Sequence, residues 1–401
     1  MRISTQTFFD RSVSAMLEQQ SALSKTQNQV ATGQRVATPA DDPIAAVHIL
    51  ELERAMSESE QFGKNSDVVR GRLNLEEQAF EDVGTVVQRV RELLVQAANI
   101  GGMSASDRRS IATELAARLD ELQDIANRKD GNGEYLFSGF SSLTQPFARD
   151  AAGVVTYAGD QGNRLVQVGP SQRVADSHSG SDVFMNITAG NGTFTTAVAA
   201  ANTGTGVITV GQVNDSTAWV PDDYTLVFDN PPTTWQVLDG LGNPVTAGSY
   251  TSGNAIAFNG IQVAVSGTPA AGDSFSIAQA TTESAFATLQ TIVTALNGPS
   301  GTASTNAQLS TVLGGSLQQL DQITDHVLGV RAQIGARLST LDNADASRDS
   351  LSVDLQTSLA DLRDLDYAEA LTRMNQQLLG LQAAQLSYAK ISQLSLFNYM
   401  S

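Results

Sequence analysis

Gly33-Gln34-Arg35-Val36-Ala37-Thr38-Pro39-Ala40-Asp41-Asp42-Pro43 interrupts two helix-like segments, and its reading decides the fold. The Asp42 carboxylate can accept the free N–H groups of the helix that follows, and Pro43 suits a first helical position, where a missing N–H costs nothing. Asp41 and Asp42 also complement the positive end of that helix. The stretch predicts a sharp joint at Asp41, Asp42 and Pro43 between a terminal helix and a longer one.

On the N-terminal side, Phe9, Met16, Leu23 and Val30 stand seven residues apart, with Val13 offset by four. This heptad-like spacing predicts a helix seeking a partner helix, weakened where Gln20 and Gln27 fall in the offset series. On the other side a longer stripe runs through Val69, Leu73, Phe80, Val83, Val87, Val90, Leu94 and Ala97. A third helix carries Ile111, Leu115, Leu119, Leu122 and Ile125, opened by the capping sequence Ser104-Ala105-Ser106-Asp107. The far end of the chain mirrors this. Leu320, Ile323, Val327, Val330, Ile334 and Leu341 form one stripe, and Leu351, Leu355, Leu359 and Leu362 a second. Leu371, Met374, Leu378 and Leu381 continue it, and Leu394, Leu396 and Phe397 lie near the end. Proline-free apolar repeats at both ends predict antiparallel helices that pair with each other.

The middle has a different composition. Most of the 33 glycines fall there, and residues 174–330 contain no Lys or Arg. Short alternating runs read as strands: 154–157 and 164–168 on either side of a turn at 159–163, then 224–228, 234–238, 255–258, 261–265 and 274–277. Asn259-Gly260 between two of them is a type I′ hairpin signal. The run 274–277 is expected to close the sheet, and 190–211 is too rich in Gly, Thr and Ala to place. The fold class is therefore mainly α with an all-β insertion, its terminal helices pairing as an antiparallel coiled-coil bundle. Three parts are expected: a terminal coiled-coil domain of residues 1–45 plus 365–401, a helical bundle of 46–147 plus 282–364, and a β-rich outer domain of 148–281.

Composition narrows the function. A net charge of −18 argues against nucleic acid and anionic membrane surfaces, both of which need clustered cations. The absence of cysteine removes thiol catalysis and thiolate metal sites. The polar opening Met1-Arg2-Ile3-Ser4-Thr5-Gln6-Thr7 lacks the apolar core of a signal peptide, so any export is expected to use another route. His48, His178 and His326 lie in different blocks, which disfavours a shared metal or catalytic centre. Asp321, Asp325 and His326 read as a solvated helix face, and Lys129-Asp130-Gly131-Asn132-Gly133-Glu134 as a helix-ending turn rather than a calcium loop. No phosphate loop, nucleophile elbow or triad is visible. The expectation is a structural protein: no enzyme, no catalytic residues, no cofactor, no metal.

With those residues in place, the sequence resembles the flagellin superfamily. The stretch 23–46, with its Thr-Gly-x-Arg-Val turn before Asp-Asp-Pro, is similar to the superfamily's N-terminal signature. Ala40 departs from it, standing where Ser is frequent. Asn132-Gly133-Glu134-Tyr135-Leu136-Phe137-Ser138-Gly139 resembles the step from helical to β structure in the hook–filament junction branch. The closing Leu394-Ser395-Leu396-Phe397-Asn398-Tyr399 resembles that branch more than filament flagellins. The resemblance implies a bacterial flagellum subunit between hook and filament, with a filament flagellin as the alternative. It implies a ring or helical tube of copies, hook-associated protein 1 on the hook side, flagellin on the filament side, and an export chaperone at the C-terminal region. It also implies type III export and an extracellular location, with no nucleic acid and no membrane. Subunit packing would then rest on Phe9, Val13, Met16, Leu23, Val30, Leu371, Met374, Leu378, Leu381, Leu394, Leu396 and Phe397.

Overall fold

The computed structural model describes residues 5–99, 103–151, 153–299 and 301–397 of the chain. Among the described residues six helices bracket a β region: α1 Thr5–Thr32, α2 Pro43–Ala97 and α3 Ala105–Ala126 before it, α4 Ala285–Asn297, α5 Ala303–Arg363 and α6 Tyr367–Phe397 after it. The chain divides into two units, one of Met1–Lys64 with Asn343–Ser401 and the other of Asn65–Asp342, the division falling inside α2 and α5. No described helix is long and apolar enough to cross a membrane.

In the larger unit the N-terminal stripe becomes core. Val69, Leu73, Phe80, Val83, Val87, Val90 and Leu94 of α2 are all buried, as are Leu320, Ile323, Val327, Val330, Ile334 and Leu341 of α5. The two helices run antiparallel, since Arg70 pairs with Asp342, Glu77 with Arg331 and Arg91 with Asp321. Ser104 and Asp107 cap α3 reciprocally, Ser104 Oγ accepting the Asp107 N–H. Edge-on and tilted rings of Phe80, Phe137, Phe184, Phe147 and Phe286 tie α2 and α4 to the start of the β region.

The β region opens with four short strands, β1 Phe147–Arg149, β2 Val155–Tyr157, β3 Leu165–Gln167 and β4 Arg173–Ala175. The two runs flanking 159–163 do not pair with each other: β2 pairs with β1, and β3 with β4. A π-helical turn, Ser181–Met185, precedes β5 Ile187–Thr188. The stretch left unplaced by sequence contains β6 Phe194–Val198 and β7 Val207–Ile208, followed by β8 Gln212–Val213. Then come β9 Tyr224–Phe228, β10 Thr234–Leu238, β11 Pro244–Ser249, β12 Ala255–Phe258, β13 Ile261–Ser266, β14 Ser274–Gln279 and β15 Thr282–Glu283. One sheet has the order β11-β10-β9-β14-β6, so β14 lies inside the sheet instead of closing it. The reason is its burial on alternate residues, Phe275 and Ile277, with strand neighbours on both sides. A second sheet is built on the β12–β13 hairpin, whose turn residues Asn259 and Gly260 both have positive φ, as a type I′ turn requires. Tyr224, Leu226, Phe228, Val237, Phe275 and Ile277 of the first sheet share one core with Ile256, Phe258, Ile261, Val263 and Val265 of the second.

Candidate assembly surface and helix joint

Helix α1 stops because Gly33 takes φ +71, with its N–H returned to the Gln29 carbonyl at 2.9 Å. Helix α5 stops without Gly or Pro, at residues 364–366. The two breaks lie against each other. Gln34 and Asp364 form an antiparallel bridge, Arg35 N–H donates to the Arg363 carbonyl, and Leu365 N–H donates to the Gly33 carbonyl at 3.0 Å. The Arg35 guanidinium reaches the Leu362 carbonyl at 2.7 Å. Gly33 itself sits against the Tyr367 hydroxyl, which a Cβ there would meet at 2.9 Å.

The two carboxylates of the joint do different work. Asp42 Oδ1 accepts the Ala45 N–H at 3.0 Å and caps α2, in which Pro43 is the first residue. That N–H holds the Asp42 carboxyl below its ordinary range. Asp41 turns backwards. Its Oδ2 accepts the Thr38 N–H at 2.9 Å and the Thr38 hydroxyl at 3.0 Å, and its Oδ1 lies 2.9 Å from Lys25 Nζ on α1. The hydrogen bond from Lys25, then those from Thr38, hold Asp41 at about 2. A small core of Val36, Ala45, Ile49 and Leu359 fills the joint beneath. On the C-terminal side Asp366 caps α6 through the Ala368 and Glu369 N–H groups. The Asp-x-x-Glu signature at 366–369 could have revealed this second break.

Beyond the joint, α1 and α6 pack together along their lengths. Arg373 donates to Gln29 Oε1, and Gln19 donates to the Gln377 carbonyl, so the pair is antiparallel. Of the anticipated packing residues, Leu23 is buried, while Met16, Val30, Met374 and Leu381 are half-buried. Val13, Leu371 and Leu378 are exposed at 38, 43 and 42 %. Phe9, Leu394, Leu396 and Phe397 lie on these helices, but their side chains fall outside the described residues. Sequence reasoning missed several apolar side chains that stand more open still. Leu17 is 61 % exposed, Leu379 64 % and Leu386 65 %, and Ile44, Val47 and Leu50 of α2 form another open row. No local signal in the sequence marks them, because exposure on a helix depends on where its partner packs.

The histidines remain separate: His48 pairs with Glu51, His326 contacts the Asp182 carbonyl, and His178 is buried against Glu76 at 2.9 Å. Burial pushes the Glu76 carboxyl up. The 129–134 turn supplies Asp130 to Arg72 at 2.6 Å, an ion pair in place of a cation loop. Among the described residues no cluster of His, Asp and Glu could hold a metal ion.

The same helices are matched by known families. Residues 3–142 match the bacterial flagellin N-terminal helical region, 317–400 the bacterial flagellin C-terminal helical region, and 197–279 the D2-like domain of flagellar hook-associated protein 1. A crystal structure of flagellar hook-associated protein 3 from Legionella pneumophila is 36 % identical, with a TM-score of 0.75 over 78 % of this chain and 98 % of that one. The chain belongs to the flagellar hook-associated protein 3 family. Escherichia coli hook-associated protein 3 is 27 % identical over 99 % of both chains. That of Salmonella typhimurium is 35 % identical over 47 % of this chain, a match spanning 58 % of the Salmonella protein. The relatives are flagellar structural proteins, and flagellins are more distant members of the same superfamily. The fold of a hook-associated protein 3 is thus the helical frame with a central β insertion.

Proposed function

We propose that this chain is the extracellular flagellar subunit that joins the hook, through hook-associated protein 1, to the flagellin filament. The observation that carries this reading is the antiparallel pair of α1 and α6 with apolar side chains open on its surface, Leu17, Leu379 and Leu386 among them. An antiparallel helix pair that leaves large aliphatic side chains in water gains most by burying them against further helices. Neighbouring copies supply those helices in a ring or tube. The packing set is Phe9, Val13, Met16, Leu23 and Val30 from one end and Leu371, Met374, Leu378, Leu381, Leu394, Leu396 and Phe397 from the other. Asp41, Asp42 and Pro43 fix where this terminal part meets the longer helices. The three-part division follows: 1–45 with 365–401 as the inner coiled coil, 46–147 with 282–364 as the helical body, and 148–281 as the outer β domain. The chain acts without catalysis. It leaves the cell through the flagellar type III route, escorted by a chaperone at its C-terminal region.

A strain lacking this gene is the test. It is expected to keep its hooks and to release monomeric flagellin into the medium, and the intact gene restores filaments. Full filaments in the deletion strain would sink the proposal. Bare hooks with no flagellin in the medium would point instead to the filament subunit itself.

A further inference from the structure

The first β sheet ends in a strand that is open and uncharged. Thr233 of the turn preceding β10 accepts the Tyr250 N–H at 2.7 Å, and Thr234 pairs with Ser249 in register. Antiparallel alternation therefore turns the amides of 246, 248 and 250 toward β10, and those of 247 and 249 away from the sheet, as far as the register shift beyond Thr246. Among the described residues β11 is the terminal strand of its sheet and pairs with β10 alone. The N–H and C=O of Ala247 and the N–H of Ser249 thus form a bare edge, the Ser249 carbonyl being taken by Trp235 Nε1 at 3.2 Å. Val245, Ala247 and Ser249 are exposed.

Exposed edges are ordinarily blunted by charge, proline or a bulge. Here Pro244 and the register shift at Val237/Leu238 blunt one end, but 245–249 hold no charged side chain. The opposite edge of the sheet is treated differently. The ends of the β6 segment are held by α5, Gln319 accepting the Gly190 N–H at 2.8 Å and Gln308 donating to the Ala200 and Asn202 carbonyls. One edge strand has its flanks tied to α5 within the chain, and the other is left for a strand from outside.

Charge says what kind of strand. Asp239, at the end of β10, and Asp222, which accepts the Gly240 N–H, stand at the Pro244 end of β11. Asp229, bonded to Thr234 opposite Ser249, stands at the other. No Lys or Arg occurs anywhere in 174–330 to neutralise them. A second copy would bring the same acidic domain and be repelled. We propose that β11 adds an extended segment of another protein, neutral in its middle and carrying Lys or Arg at both ends, by sheet extension.

The test uses the full-length protein and two synthetic amidated heptapeptides, Lys-Thr-Val-Thr-Val-Thr-Lys and its Glu-flanked counterpart. The expected result is slowed amide exchange at Ala247 and Ser249 with the Lys-flanked peptide, weakening with added salt. The Glu-flanked peptide should bind at least about tenfold more weakly. Ala247→Pro removes the outward N–H at an edge position that tolerates proline, and should weaken binding about tenfold with an unchanged circular dichroism spectrum. Equal binding of both peptides, equal binding to Ala247→Pro, or no protection at millimolar peptide would overturn the proposal. So would concentration-dependent self-association of the full chain that Ala247→Pro abolishes, since the edge would then serve a second copy. An Ala247→Pro variant that fails to fold leaves the peptide-charge comparison and its salt dependence to decide.

Discussion

The two units carry the same kind of apolar repeat and put it to opposite uses. In the unit of 65–342, the α2 stripe from Val69 to Leu94 is closed off within the chain, no member more than 4 % exposed. In the unit of 1–64 and 343–401, the repeats on α1 and α6 meet each other and still leave Leu17, Leu379 and Leu386 more than half in water. A periodic apolar stripe states that a helix needs a partner. It does not state whether that partner lies in the same molecule.

The largest effect should come from breaking the closed stripe. Phe80 is fully buried among Phe137 and its neighbours. Phe80→Ala should destabilise the larger unit by about 3–5 kcal/mol, read from the shift in its denaturant midpoint. A loss below about 1 kcal/mol would mean that the ring cluster can collapse onto the space and that this stripe is less tightly closed than its burial implies.

Next in size is the joint of the smaller unit. Gly33 has positive φ and faces the Tyr367 hydroxyl. Gly33→Ala should cost about 1–2 kcal/mol, from left-handed backbone alone, with the Tyr367 hydroxyl forced to shift. Because the strain falls in the smaller unit, it should appear as faster amide exchange at 33–35 and 364–366, with the melting of the larger unit unmoved. Exchange that accelerates equally in both units would mean that they unfold together.

The joint also shows how far sequence carries. Asp42 and Pro43 are residues whose capping and backbone preferences are local, so their roles are legible in the sequence itself. The capping of α3 by Ser104 and the Asn259-Gly260 turn are legible for the same reason. What is not legible depends on pairing across the chain. Nothing local says that the runs around 159–163 pair outward to β1 and β4, that β14 lies inside its sheet, or that Asp364 bridges Gln34. The same holds for the open leucines. Leu378 and Leu379 are adjacent and chemically identical, and only the packed helix shows which stands further in water.

Smaller in the monomer, and larger in the assembly, is the effect of those open side chains. Leu379→Ser with Leu386→Ser should change the monomer's stability by no more than about 0.5 kcal/mol, because little apolar contact is lost. The same variant should fail to restore filaments to a strain lacking the gene. A variant that assembles normally would transfer the role of contact surface away from α6, toward the row Ile44, Val47 and Leu50.

The smallest effect separates the units by the sign of their response to acid. Asp41 is held at about 2, below its ordinary 3.8, chiefly by Lys25 and then by Thr38. A depressed carboxyl contributes stability that is complete above the unfolded value of 3.8 and is lost as the pH falls through about 2. Acid therefore loosens the joint where Asp41 ties α1 to the Thr38 turn. Glu76 in the larger unit runs the other way, its carboxyl raised by burial, so the fold favours its protonated form and this contribution weakens as the pH rises through the raised value. Titration of the two side-chain carboxyls by NMR distinguishes them, Asp41 losing its proton at the acid extreme and Glu76 above the ordinary glutamate range. Lys25→Met sharpens the contrast. It removes the larger of the causes on Asp41 and leaves Thr38, so the Asp41 midpoint should rise toward 3.8 without reaching it, while that of Glu76 stays where it was. An unmoved Asp41 midpoint would assign the depression to the Thr38 turn alone, and the link from α1 to the joint would then rest on the backbone bridge at Gln34 and Asp364.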